Sequence, residues 1–138
     1  MKDKTNYNAA VVGCGRIGSM FDSDEKRKII SSHCGAYSFH ERTNLITVCD
    51  VDKKRAIKSQ QQWSLNSHYI DYKKMLNNEK IDILSVCTQP EYHEEIINYA
   101  VKKDVKAIFC EKPIALEPEL IRRALEEVEK SHDAVLWT

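Results

Sequence analysis

No stretch of this 138-residue sequence reaches the length of a membrane span or of the apolar core of a secretory leader, and the N-terminus, MKDKTNYN, is polar. A cytoplasmic protein is expected. Net charge is also missing: 21 basic residues balance 21 acidic ones. No global field then draws the chain to nucleic acid or to a membrane, and a small neutral partner or a compact, locally bound anion is the better expectation. Paired cysteines are missing too. Cys14, Cys34, Cys49, Cys87 and Cys110 are odd in number and scattered, with no C-x-x-C pair for zinc or redox chemistry, so no metal is expected and the thiols read as reduced and mostly buried. Internal repeats and low-complexity segments are absent. The length suits one domain, residues 1 to 138, large enough to bury a proper core.

Glycine is scarce, at four residues, and three of these stand at Gly13, Gly15 and Gly18 in the run VVGCGRIGSMF, Val11 to Phe21. A short, β-branched apolar run from Asn8 to Val12 leads into them and predicts a buried strand. In a dinucleotide-binding turn, Gly13 allows the tight bend, Gly15 lets the backbone approach a pyrophosphate, and Gly18 lets a helix pack on the strand. The helix N-terminus then offers free N–H groups and positive dipole to phosphates. The spacing alone also fits an ordinary glycine turn, so the rest of the chain must decide.

The helix that should begin near Arg16 is soon interrupted by DSDEKRK, Asp22 to Lys28, a charged stretch expected to be exposed, and helical character resumes over Ser32 to His40. Leu45 to Cys49 predicts a second buried strand ending in Asp50. An acid at that tip can accept hydrogen bonds from both hydroxyls of an adenosine ribose, a contribution of roughly 1.5 to 3 kcal/mol, and would repel a 2′-phosphate. Asp50 thus favours NAD over NADP. Lys53, Lys54 and Arg55 follow closely and could reach such a phosphate, which counts against that preference, but they read rather as a solvated helix face. Asp50 falls later after the glycines than the usual interval of about 20 residues, and the charged insertion accounts for the delay.

Asp52 predicts an N-cap for a helix through Trp63; His68 to Ile70 reads as a brief strand, and Asp71 as the cap of a helix over Tyr72 to Leu76 ended by Asn77 and Asn78. Ile81 to Cys87 is a third long strand running into Thr88-Gln89-Pro90, and a helix follows from Glu91 to Lys103 with Ile96, Ile97, Ala100 and Val101 on one face. His93 in its first turn could be held neutral there and donate to a ligand over the sheet edge, but from the residues alone it reads as a surface histidine. Val105 to Cys110 is another strand, followed by Glu111-Lys112-Pro113. The last helix, Pro118 to Lys130, should bury Leu120, Ile121, Ala124, Leu125 and Val128, with i,i+4 pairs outside from Glu119 to Arg123, Arg122 to Glu126 and Glu126 to Lys130. Ala134 to Trp137 predicts a sixth strand.

Such alternation implies right-handed βαβ units and an α/β fold, a doubly wound parallel sheet covered on both faces, whose ligands bind beyond the carboxyl ends of the strands. Gly13 to Gly18, Asp50, Thr88 to Pro90, and Glu111 to Pro113 each follow a strand directly, so four loops converge on one sheet edge.

With EKP the whole chain resembles the nucleotide-binding Rossmann domain of the glucose–fructose oxidoreductase, inositol dehydrogenase and MocA family. The matching stretches are GCGRIG, SHCGAY from Ser32 to Tyr37, CDVDKKRA from Cys49 to Ala56, YIDYKKML from Tyr69 to Leu76, T-x-P-x-x-H from Thr88 to His93, and EKP. The resemblance implies an NAD(P)-dependent dehydrogenase acting on a hydroxyl or carbonyl of a sugar, cyclitol or related ring, with a homo-oligomer for the full-length protein. It would give Arg16 and Ile17 the pyrophosphate, Asp50 the ribose, Thr88, Gln89 and Pro90 the cofactor wall, and His93 and Glu111 its nicotinamide half. Lys112 would be the catalytic residue, a cation stabilising the alkoxide-like charge that develops as hydride moves. Many members have T-P-N where this chain has Thr88-Gln89-Pro90. The family's C-terminal α+β domain, which carries the acid and base, has no counterpart here, so one domain of a longer protein, inactive alone, is expected. A non-catalytic dinucleotide sensor and an adenosylmethionine-dependent methyltransferase are the competing readings; EKP disfavours the first and the lack of a closing antiparallel hairpin the second.

Overall fold

Six parallel strands form one sheet in the order β3-β2-β1-β4-β5-β6. They are β1 (Tyr7–Val12), β2 (Thr43–Cys49), β3 (Ser67–Tyr69), β4 (Ile83–Val86), β5 (Ala107–Cys110) and β6 (Val135–Trp137), connected through α1 (His33–Phe39), α2 (Lys53–Gln62), α3 (Tyr72–Asn78), α4 (His93–Lys102) and α5 (Pro118–Lys130). The computed structural model describes residues 6–138, and most of the polar stretch at the start of the sequence lies outside them. From β1 the chain builds outward through β2 and β3, then returns to pair β4 with β1 and builds outward the other way. The reversal opens a crevice at the carboxyl ends of β1 and β4, where ligands of such sheets bind.

Side-chain alternation along β1 explains why the strand is buried on both sides. Ala10 and Val12 face a cluster with Met75 of α3, Ile96, Ile97 and Ala100 of α4, and Ala124 of α5. Val11 faces the other way, with Val48 of β2, Cys14 and Cys34. Each fully buried aliphatic side chain of these layers contributes about 1.5 to 3 kcal/mol. The helix caps follow from sequence: Asp52 accepts from the Lys54 and Arg55 amides, and Asp71 from those of Lys73 and Lys74.

The structure differs from expectation in three places. α3 continues through Asn77 and Asn78, because the Glu79 amide still bonds to the Met75 carbonyl. Before α4 a 3-10 turn, Pro90–Tyr92, takes the place of regular helix. α5 buries Ala124 fully but leaves Leu125 43% exposed. Outside, Arg122 bridges Glu119 and Glu126, while Arg123 turns instead to Glu94 of α4.

Candidate functional site

The glycine turn is fixed by what surrounds it. Gly13 has φ 97°, and a Cβ there would collide with the Cys87 carbonyl and the Thr88 amide, so the close approach of β1 to the loop after β4 requires glycine. Its amide donates to the Cys49 carbonyl at 2.8 Å, and the next amide, of Cys14, donates to Asp50 Oδ2 at 2.9 Å. Gly18 is packed just as tightly, its missing side chain facing the Gly13 carbonyl. Gly15 is different, because a Cβ built there meets nothing within 4 Å. Packing within the chain does not explain that glycine.

Beyond the turn the expected helix from Arg16 does not form: residues 16–19 are turns, Met20–Ser23 is a 3-10 turn, and regular helix starts only at His33, after the charged insertion. The Ile17 and Gly18 carbonyls accept the amides of His33 and Cys34 at 3.0 and 2.9 Å, bonds that residues 21 and 22 would make in a continuous helix. About twelve inserted residues thus separate two parts of one helical path, and removing them restores the roughly 20-residue interval between Gly18 and Asp50. Asp22, expected among exposed charges, is instead half-buried. It closes the insertion by accepting the Ser31 and Ser32 amides at 2.7 and 3.1 Å, and the Ser32 hydroxyl. Arg16 and Ile17 are exposed on the turn, and their amides have no protein acceptor among the described residues. Ser19, buried below, ties the turn to α2 by accepting from Ser59 Oγ and Trp63 Nε1, both at 2.9 Å.

A cleft of about 630 Å³ runs along the sheet edge here, lined by Gly13, Gly15, Asp50, Thr88 and Gln89, with Val51, Ile70, Tyr92 and Ile96 as its apolar walls. Five of the residues singled out in the sequence thus meet around one space. Tyr72 also lines it, and its hydroxyl is buried without a hydrogen-bond partner. Burial and the neighbouring Glu95 carboxylate push that phenol well above its ordinary value.

Asp50 is buried at the head of this cleft, and its carboxylate is more crowded than the sequence suggests. Oδ2 accepts the Cys14 amide at 2.9 Å and Arg55 Nε at 3.1 Å; Oδ1 accepts the Asp52 amide at 2.8 Å and Arg55 Nη2 at 3.0 Å. Arg55 is exposed, as a solvated face requires, yet its fork is engaged. It lines the cleft and grips Asp50 with both arms of its fork, which raises its own pKa further.

The remaining predicted residues lie outside the cleft lining. Pro90 opens the 3-10 turn. His93 is fully buried, with ring Nδ1 2.8 Å from the Pro113 carbonyl and Nε2 3.0 Å from the Thr88 carbonyl. It ties the loop after β4 to the loop after β5. Lys112 is exposed at the end of β5, before a cis peptide to Pro113. Glu111 accepts from His33 Nε2 at 3.0 Å, His33 Nδ1 lies 2.8 Å from Ser85 Oγ, and Ser85 Oγ lies 2.6 Å from the Tyr37 hydroxyl. A carboxylate only accepts, so with a neutral ring Nε2–H points to Glu111 and Nδ1 accepts from Ser85. Sequence reading missed His33 and Ser85 as site residues, and it weighed Arg55 only for a phosphate, not as the partner of Asp50. For Arg55 the signal was present, a guanidinium one turn into the helix that follows Asp50.

All five cysteines are free and none is poised as a nucleophile. Burial pushes Cys14, Cys49 and Cys110 up to about 12, and Cys87 higher still. Among the described residues no cluster of His, Cys, Asp or Glu has the make-up of a metal site, and no helix is long and apolar enough to cross a membrane. A second cleft, of about 310 Å³ between Thr43 and Asn66, lies at the start of β2, away from these loops.

Residues 7–138 match the family model described as an oxidoreductase family with an NAD-binding Rossmann fold. The myo-inositol 2-dehydrogenase of Thermotoga maritima is 27% identical over 128 residues, covering 93% of this chain and 34% of that protein. The inositol 2-dehydrogenase/D-chiro-inositol 3-dehydrogenase of Lactiplantibacillus plantarum is 30% identical over 108 residues, 78% of this chain and 27% of the relative. Among solved structures, scyllo-inositol dehydrogenase from Lactobacillus casei, with bound NAD(H) and scyllo-inositol, superposes with a TM-score of 0.81 at 18% identity, over 96% of this chain and 35% of that one. The chain spans about a third of the length of the curated relatives it matches.

Proposed function

The chain belongs to the oxidoreductase family with the NAD-binding Rossmann fold, and from that premise we propose that it is the cofactor-binding domain of an NAD-dependent dehydrogenase acting on a sugar-like or cyclitol hydroxyl. The observation that carries this reading is the cleft at the glycine turn. Space is left open over Gly15, exposed amides at Arg16 and Ile17 lack acceptors, and the Asp50 carboxylate stands at the cleft's head. A pyrophosphate fits the first two and a ribose diol the third. The inositol dehydrogenases among the relatives support a polyol substrate.

Each residue then has a part that its position allows. The Arg16 and Ile17 amides bind the pyrophosphate, and Asp50 orients the adenosine ribose. Val51, Ile70 and Ile96 exclude water from the adenine. The bound dinucleotide supplies the hydride acceptor or donor. Lys112, whose charge is unpaired among the described residues, stabilises the alkoxide-like oxygen of the substrate. Glu111, anchored by His33, and Pro113, anchored by His93, fix the loop that presents it. The proton acceptor for the hydroxyl belongs to the rest of the longer protein.

Isothermal titration of the chain with NAD, NADP and S-adenosylmethionine tests this. Saturable heat with NAD and none with S-adenosylmethionine is expected, and no heat with either dinucleotide contradicts the reading.

A further inference from the structure

Resting on that reading of the cleft, we propose that Arg55 is a specificity-determining residue: it occupies the Asp50 carboxylate when the cleft is empty, weakening NAD and making room for NADP. A carboxylate offers about four acceptor positions. At Asp50 all four are engaged, two by the Cys14 and Asp52 amides and two by Arg55. The amides belong to the turn and to the start of α2 and cannot leave without unfolding them. A ribose diol can therefore reach Asp50 only by displacing the guanidinium.

The guanidinium is built to move. Its side chain is 46% exposed, whereas that of Asp50 is 5% exposed, so the acid is fixed and the base is mobile in solvent. Arg55 Nη1 already lies 3.9 Å from Asp52 Oδ2, an exposed carboxylate that can receive the fork when it leaves Asp50. NAD binding thus exchanges one ion pair for another, at the expense of two good hydrogen bonds. With NADP the guanidinium need not leave. Its position at the ribose end lets it face a 2′-phosphate while still neutralising Asp50, whose charge would otherwise repel that phosphate. Of the three basic residues in this stretch, Arg55 lines the cleft and Lys53 and Lys54 do not. The discrimination that Asp50 alone would impose is blunted by a single side chain.

The test compares NAD and NADP affinities of the chain, by titration calorimetry, for the natural sequence, Arg55→Gln and Arg55→Lys. Circular dichroism confirms that each variant folds, and the exposed Lys variant, which keeps a charge, guards against loss of fold in the Gln variant. Removing a half-exposed ion pair should tighten NAD roughly two- to fivefold. Losing a charge-assisted contact to the phosphate should weaken NADP about tenfold or more. Arg55→Lys should fall between, because an ammonium cannot fork. An unchanged NAD-to-NADP ratio in both variants, with the natural chain binding NAD, overturns this proposal and leaves the cofactor reading intact. Failure of the natural chain to bind either dinucleotide overturns both.

Discussion

Gly13 and Gly15 stand two residues apart in one turn, and the structure gives them opposite reasons to be glycine. Replacing Gly13 by alanine forces an L-residue to φ 97° and drives its methyl into the Cys87 carbonyl and Thr88 amide. The backbone strain costs about 1 to 3 kcal/mol and the overpacking about as much again. A loss of roughly 2 to 6 kcal/mol is a large part of a typical stability of about 5 to 15 kcal/mol, and Tm should fall by roughly 7 to 20 °C. The Cβ of Gly15→Val meets nothing within 4 Å, and φ there is not positive, so stability should stay within about 1 kcal/mol of the natural chain. Its methyl groups fill the space assigned to the pyrophosphate. Displacing that group from one or two amides, each charge-assisted bond contributing about 1.5 to 3 kcal/mol, should weaken NAD by tenfold to more than a hundredfold. Thermal melts and NADH fluorescence titrations on both variants read out the two effects. If Gly15→Val melts as early as Gly13→Ala, or binds NAD as tightly as the natural chain, the assignment of the open space to a ligand is wrong.

Three further outcomes follow from other parts of the site. In the full-length protein, Lys112→Met should lower kcat about a hundredfold or more with little change in NAD affinity, and a kcat within threefold of normal would remove Lys112 from the chemistry. His33→Ala removes one hydrogen bond from Ser85, which is fully buried and keeps Tyr37, and one from Glu111, so it should destabilise the domain by about 1 to 3 kcal/mol in urea melts, whereas a loss below about 0.5 kcal/mol would show that water repairs the network. The buried thiols set an alkaline limit. Cys14, Cys49 and Cys110 stay protonated in the fold up to about 12 but ionise near 9 when unfolded. The unfolded state therefore binds fewer protons between those values. Stability present below pH 9 should fall by roughly 1 kcal/mol per pH unit for each thiol above it, and replacing Cys49 by serine should flatten that slope in pH-dependent urea melts.

Most strands were legible because each is a short apolar run bounded by turn chemistry, their parallel pairing because helices alternate with them, and the two aspartate caps because their side chains bond to amides only two or three residues on. The glycine turn, Asp50 and the Thr88 loop were legible as a site because they follow strands directly and a parallel sheet gathers such loops at one edge. What escaped depends on long-range partners. His33 meets Glu111 across 78 positions, and nothing local to either marks the pair. His93 sits where a helix start faces a ligand in many folds, yet two carbonyls from separate loops enclose it. Arg55 is exposed as its basic run suggests, but charge pattern alone does not tell which member of the run pairs with Asp50. α5 was read as burying a wider stripe than it does, since Leu125 sits at the margin of the face that meets α4 and the sheet.

The central claim is that one cleft, at the carboxyl ends of β1, β2 and β4, takes the dinucleotide. Amide chemical-shift mapping of the ¹⁵N-labelled chain during titration with NAD tests it most directly. The account predicts saturable shifts concentrated at Gly13 to Gly18, Asp50 to Asp52, and Thr88 and Gln89, with the Arg16 and Ile17 amides moving downfield as they gain acceptors. Shifts centred on the cleft between Thr43 and Asn66, or none at saturating NAD, would contradict it.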